Sequence, residues 1–111
     1  MKLPNGNQAL IDNAKLREYC LSPVHPRGRH KAALFKKLLG LTIADVDLLR
    51  DFLQDAARNA EAVETKQSPF GQHYSMEFTM NGPTGQARVL SVWIIRSGES
   101  VPRLITCYPL E

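Results

Sequence analysis

The sequence predicts an α+β domain, with N-terminal helices packed on one face of a C-terminal antiparallel sheet of three to four strands. Three observations lead there. Up to about residue 60 the apolar residues recur at helical spacing. From about residue 61 the period changes to two, most clearly where Tyr74, Met76, Phe78 and Met80 alternate with His73, Ser75, Glu77 and Thr79. The strand-like runs are joined by short turn segments, Asn81-Gly82-Pro83-Thr84-Gly85 and Ser97-Gly98-Glu99-Ser100, which suit antiparallel neighbours. A length of 111 residues fits a single domain over 1–111, with a helical half at about 1–60 and a sheet half at about 61–111.

Leu3-Pro4-Asn5-Gly6 reads as an extended start and a turn, and Ala9-Leu10-Ile11 as a short strand. Asp12 is placed to cap a helix over 13–21, whose Leu16, Tyr19 and Cys20 form one apolar face. Ser22-Pro23 ends it, because a residue before proline avoids helical geometry. A loop leads to a second helix over 29–39 with a stripe of Ala32, Phe35, Leu38 and Leu39, and Gly40 suits its C-terminal stop. Thr42 opens a third helix with Asp45 as capping partner, and Ile43, Val46, Leu49, Phe52, Leu53, Ala56, Ala57 and Ala60 hold helical spacing. Strands follow at 62–66, at the Tyr74–Met80 alternation, at 86–96 and at 101–108, with a turn at 67–71. The run from Val89 to Ile95 is apolar on both faces and predicts an inner strand.

Net charge is only +3, but its placement is uneven. Between Arg27 and Lys37 there are five cations and no acid, whereas the next helix carries Asp45, Asp47, Asp51 and Asp55. Only the first of these segments attracts a polyanion. No apolar run approaches a membrane span, and the first residues lack the apolar stretch of a signal peptide, so a cytoplasmic protein with no membrane partner is expected. Cys20 and Cys107 have neither CxxC spacing nor a local histidine pattern, which predicts buried thiols and no metal site. No GxSxG, Walker, HExxH or GxGxxG motif is present, so no cofactor is expected.

The chemistry concentrates in His25-Pro26-Arg27-Gly28-Arg29-His30-Lys31, a basic loop feeding a helix start. Helix N-termini favour anions, and arginine and lysine bind phosphate as fork and point charge respectively. His30 between Arg29 and Lys31 is a candidate general acid/base, because neighbouring positive charge disfavours its cationic form. His25, Arg27 and Arg29 are candidate phosphate or RNA contacts, with bonding to the loop backbone as the alternative role of His25. The last strand adds Arg103, which needs a partner or a ligand in its apolar surroundings, and Thr106 and Tyr108, which share a face. Arg103 and Thr106 have opposite parity and meet only if a bulge intervenes. Trp93 is either core or, if one ring face is open, a platform for a base.

Leu3-Pro4-Asn5, Tyr19-Cys20-Leu21, the block from His25 to Ala32, and Pro102-Arg103-Leu104-Ile105-Thr106-Cys107-Tyr108 resemble a bacterial family catalogued as domain of unknown function 6883. Related domains look like the C-terminal ends of polymorphic toxins, and small members look like parts of toxin–antitoxin-like two-gene modules. The helices-then-sheet order is also similar to the barnase, EndoU, colicin and RelE group of ribonuclease toxins. That resemblance implies a histidine or lysine from the helical half acting with arginine, serine, threonine or tyrosine from the sheet. His30 or Lys31 with Arg103, Thr106 and Tyr108 would fill those roles. The resulting expectation is a toxin-like, metal-independent ribonuclease acting on RNA, with a cognate antitoxin or other neighbouring-gene protein as partner. The rival is a non-enzymatic, immunity-like module that engages an acidic partner through the basic loop. An exposed edge strand could also pair two copies into a homodimer.

Overall fold

Residues 1–111 are all described in the computed structural model, with the helical segments preceding a four-stranded antiparallel sheet. The first helix, α1, opens at Asn13–Lys15 and continues as a π turn over Leu16–Cys20. Asp12 caps it as expected, its side chain accepting from the Ala14 N–H at 2.9 Å. The Leu21 N–H reaches back to the Leu16 carbonyl at 2.9 Å, a wider loop than the regular helix the spacing predicts. Leu16 and Cys20 at the two ends of the turn are both fully buried, while Tyr19 stays half-buried at the edge.

Helix α2 spans Arg29–Leu39 and buries Ala32, Phe35 and Leu39. Gly40 stops it in the left-handed conformation, φ 72°, with its N–H closing on the helix's last carbonyls. Thr42 and Asp45 form the expected capping box. The Thr42 N–H donates to Asp45 Oδ2 at 2.8 Å and the Ala44 N–H to Thr42 Oγ1 at 3.3 Å. A 3-10 turn, Ile43–Asp45, leads into α3, Val46–Asn59, which buries Val46, Leu49, Leu53, Ala56 and Ala57. Thr42→Ala is expected to lower stability by about 1 kcal/mol. Urea denaturation of the two proteins checks this, and a difference within error would mean the box adds nothing.

The strands are β1, Ala62–Ser68; β2, Gly71–Asn81; β3, Gln86–Arg96; and β4, Arg103–Pro109, paired in the order β1-β2-β3-β4. The predicted alternation holds: Tyr74, Met76, Phe78 and Met80 face the helices and are buried. On β3, Val89, Ser91 and Trp93 join them beneath α2 and α3, as part of one core with Leu16, Phe35, Leu39, Leu49 and Leu53. β1 runs further than predicted, to Ser68, leaving only Pro69 and Phe70 to turn into β2.

Two local expectations need correction. The strand at Ala9-Leu10-Ile11 reduces to a single parallel bridge between Leu10 and Arg103. A 3-10 turn at Gly6–Gln8 and the Asp12 cap confine the segment between them, and only Leu10 pairs. The Leu10 N–H donates to the Pro102 carbonyl at 2.9 Å and the Leu104 N–H to the Leu10 carbonyl at 3.0 Å. The last strand begins at Arg103 rather than at residue 101, because Pro102 has no N–H to offer a ladder and its carbonyl is taken by Leu10.

Each outer strand carries an irregularity. In β1 the register shifts between Glu64 and Lys66, leaving Thr65 unopposed. In β4, Leu104 lies opposite Trp93 and Thr106 opposite Val92, so Ile105 is the extra residue of a bulge. The second bulge resets parity. Arg103 pairs with Ile94 and Thr106 with Val92, and these two β3 residues lie on one face, so Arg103 and Thr106 share it as well. No helix is long and apolar enough to cross a membrane.

Candidate functional site

Gly28 determines where α2 begins. A Cβ at this position would lie 2.1 Å from the Tyr19 carbonyl oxygen, so only glycine lets the basic loop press onto α1. His25 fixes the same loop. Its Nδ1 accepts the N–H groups of Arg27 and Gly28, each at 3.0 Å, which leaves the ring hydrogen on Nε2. The His25 ring meets Tyr19 edge-on, with ring centres 4.8 Å apart. The loop therefore sets the position of Tyr19 from one side.

Lys31, in the first turn of α2, approaches Tyr19 from the other side. Its Nζ donates to Tyr19 Oη at 3.1 Å and to Thr106 Oγ1 at 3.0 Å. The ammonium also lies 4.9 Å from the centre of the Tyr19 ring and 5.4 Å from that of Tyr108. No carboxylate pairs with it. An ammonium has three donors, so one remains for a ligand. The cluster opens on a cleft of about 300 Å³ lined by Lys15, Tyr19, Lys31, Ile105 and Thr106. Lys15 has no acidic partner either, and its Nζ donates to the Ile105 carbonyl at the β4 bulge, 3.1 Å away.

Cys20 and Cys107 lie buried, as expected, with the Cys107 thiol donating to Cys20 across 3.9 Å. Each follows directly on a hydrogen-bond partner of Lys31, Tyr19 and Thr106 respectively. The bond from Cys107, aided by the Lys31 charge and opposed by burial, pulls the Cys20 thiol down to about 7. Donating that bond, together with burial, holds the Cys107 thiol well above its ordinary value.

Lys31, Thr106 and Tyr108 are thus brought together. The other predicted site residues are placed elsewhere. His30 is exposed and makes no side-chain hydrogen bond, since one step along a helix turns a side chain roughly 100° away from its neighbour. Arg27 and Arg29 are also exposed and unpaired. Arg103 has found its partner in Glu99, with Nε to Oε1 at 3.0 Å and a second guanidinium nitrogen to Oε2 at 3.1 Å. Glu99 is thereby held below the usual carboxylate range. Arg103 lines a neighbouring cleft with Asp12, Lys15 and Arg96. Trp93 corrects the idea of a base platform. It is fully buried and its indole N–H donates to Ser91 Oγ at 2.9 Å, so neither ring face is open to a ligand.

Sequence reasoning missed Lys15 and Tyr19. Tyr19 was assigned to the apolar face of α1, and Lys15 is one turn before it. A lysine and a tyrosine four apart beside an apolar stripe were the available signal. No three histidine, cysteine, aspartate or glutamate side chains converge as metal ligands.

A chain from the contact-dependent growth inhibition toxin–immunity protein complex of Klebsiella pneumoniae 342 has a similar fold, with a TM-score of 0.68 and 21% identity over 90% of this chain and 98% of that one. No curated protein matches the sequence. A family match extends over residues 2–111, and the chain accordingly belongs to the family described as Domain of unknown function (DUF6883).

Proposed function

We propose that this domain is a toxin-like ribonuclease that cleaves RNA without a metal ion, by attack of a 2′-hydroxyl on the adjacent phosphorus. The observation that carries this reading is Lys31: a half-buried ammonium with no carboxylate partner, held by two hydroxyls, with one donor facing an open cleft. Such a group lacks an anion, and a phosphate supplies one. The fold shared with a chain of a toxin–immunity complex supports a toxin-like or immunity-like role.

In the reaction, a base takes the 2′-hydroxyl proton, the oxygen bonds to phosphorus, and the 5′-oxygen leaves with a proton from an acid. The products are a 2′,3′-cyclic phosphate and a 5′-hydroxyl. Lys31 stabilises the negative charge that builds on the phosphoryl oxygens. Thr106 and Tyr19 hold the ammonium in place, and the Tyr108 ring supports its charge. We assign the base to His30, which lies outside the Lys31 cluster but is exposed and free of side-chain partners one residue ahead of it, and the acid to water. Arg27 and Arg29 contact flanking phosphates, and His25 positions Tyr19. Arg103, held by Glu99, shapes the neighbouring cleft. A protein partner that neutralises the activity, such as a cognate antitoxin, fits the same reading.

The test is purified protein incubated with total bacterial RNA in chelator, beside His30→Ala. Cleavage by the wild type, reduced about 10²–10⁴-fold in the variant, is expected. Full activity in the variant would remove His30 from the mechanism. Intact RNA with the wild type would refute the nuclease and favour the non-enzymatic binding module.

A further inference from the structure

The Lys31 cleft does not end at Lys15. That residue is also a wall of the second cleft, which holds Arg96 and Arg103. Arg96 in turn belongs to a third, lined by Phe70, His73, Ile94 and Ile105, and Ile105 returns to the first. Three depressions therefore share their walls, running from the helical half across β4 to the turn between β1 and β2. Four cations border them, Lys31, Lys15, Arg103 and Arg96, with Asp12 in the lining and Glu99 bound to Arg103 as the opposing charges.

At the far end is Phe70. It is 75% exposed at the tip of the turn, a position where a large aromatic ring contributes nothing to the core. Glycine fixes that turn. Gly71 has φ 146°, and a Cβ there would lie 2.1 Å from the Ile95 carbonyl oxygen. The Phe70 carbonyl accepts the Ser97 N–H at 2.9 Å, so the next turn braces this one. The ring is presented on a fixed support beside a guanidinium. A line of cations with an exposed aromatic ring is what single-stranded nucleic acid needs: charge for the backbone and a π face for a base.

We propose that the three joined clefts form a track for single-stranded RNA, with Phe70 stacking on a base several nucleotides from the scissile phosphate, and Lys15 and Arg96 binding the phosphates between. The proposal rests on the ribonuclease reading for its choice of RNA. Duplex RNA is disfavoured because its bases are already stacked and cannot reach Phe70.

The experiment separates binding from cleavage. The probe is a short, fluorescently labelled RNA with every 2′-hydroxyl methylated, which cannot be cut, and binding is read by anisotropy across a salt series. Phe70→Ala is expected to weaken binding about tenfold with little change in salt dependence. Lys15→Ala and Arg96→Ala are each expected to lower the slope of log K against log salt by about 0.7. Thermal melts confirm that the variants are folded, and Phe70→Trp should restore binding. Cleavage by the wild type with unchanged binding in Phe70→Ala, Lys15→Ala and Arg96→Ala would overturn the track and leave the nuclease standing. Binding that depends on these residues without cleavage of natural RNA would sustain the track and overturn the nuclease. Equal affinity for a duplex of the same sequence would also overturn the track.

Discussion

Replacing Lys31 with methionine is expected to slow RNA cleavage on the order of 10²–10³-fold while the domain stays folded. Methionine keeps an unbranched, flexible stem and removes the charge. The loss should fall mainly on the rate of the chemical step, because the charge that Lys31 meets is greatest in the transition state. Lys31→Arg should rescue poorly. A guanidinium is planar and cannot place a compact charge between Tyr19 Oη and Thr106 Oγ1, which the lysine reaches at 3.1 and 3.0 Å. Stability should change little, since the cleft is open and water can satisfy the two hydroxyls. Single-turnover cleavage of a defined RNA, with a thermal melt of the same sample, decides the matter. A folded Lys31→Met protein with wild-type rate would refute the assignment of the site.

The largest effect on the fold is expected at Trp93. Trp93→Ala should cost about 3–5 kcal/mol, a large part of the 5–15 kcal/mol that typically holds such a domain together. The indole is fully buried in the middle of β3, within the core that joins sheet to helices. Its N–H is satisfied by Ser91 Oγ, which itself donates to the Met76 carbonyl at 3.3 Å. Truncation therefore leaves both a cavity and a disturbed polar chain. Urea unfolding followed by circular dichroism is the appropriate measurement, because Trp93 is the chain's one tryptophan and its loss removes the fluorescence signal. A midpoint close to that of the wild type would contradict the placement of this side chain.

Much of the fold was legible because its signals are local. The Thr42–Asp45 box, Gly40 and the Tyr74–Met80 alternation each state their geometry within a few residues. The loop, too, announced its charge. What could not be read was assembly. Lys31 meets Thr106 across 75 positions of sequence, and only the extra residue at Ile105 aligns Arg103 with Thr106. The π turn that sets Tyr19 and Cys20 has no periodic signature distinct from an ordinary helix end. Trp93 was ambiguous for a different reason: a burial-tolerant aromatic on an inner strand looks the same in sequence whether its ring is covered or open.

The interruptions at Thr65 and Ile105 bear on how copies of this molecule meet one another. A regular outer strand is a template that can recruit another chain edge to edge and so begin open-ended polymerisation. Here both outer strands break step partway along. At one margin the Ile105 carbonyl is already occupied by Lys15, and Leu10 bridges the start of the strand. At the other, Glu64 and Lys66 stand exposed around the break. Neither margin offers the unbroken row of donors and acceptors that an added strand would have to match. The bulge that gathers Arg103 and Thr106 onto one face thus has a second effect, which is to interrupt the row of groups along which another strand would add.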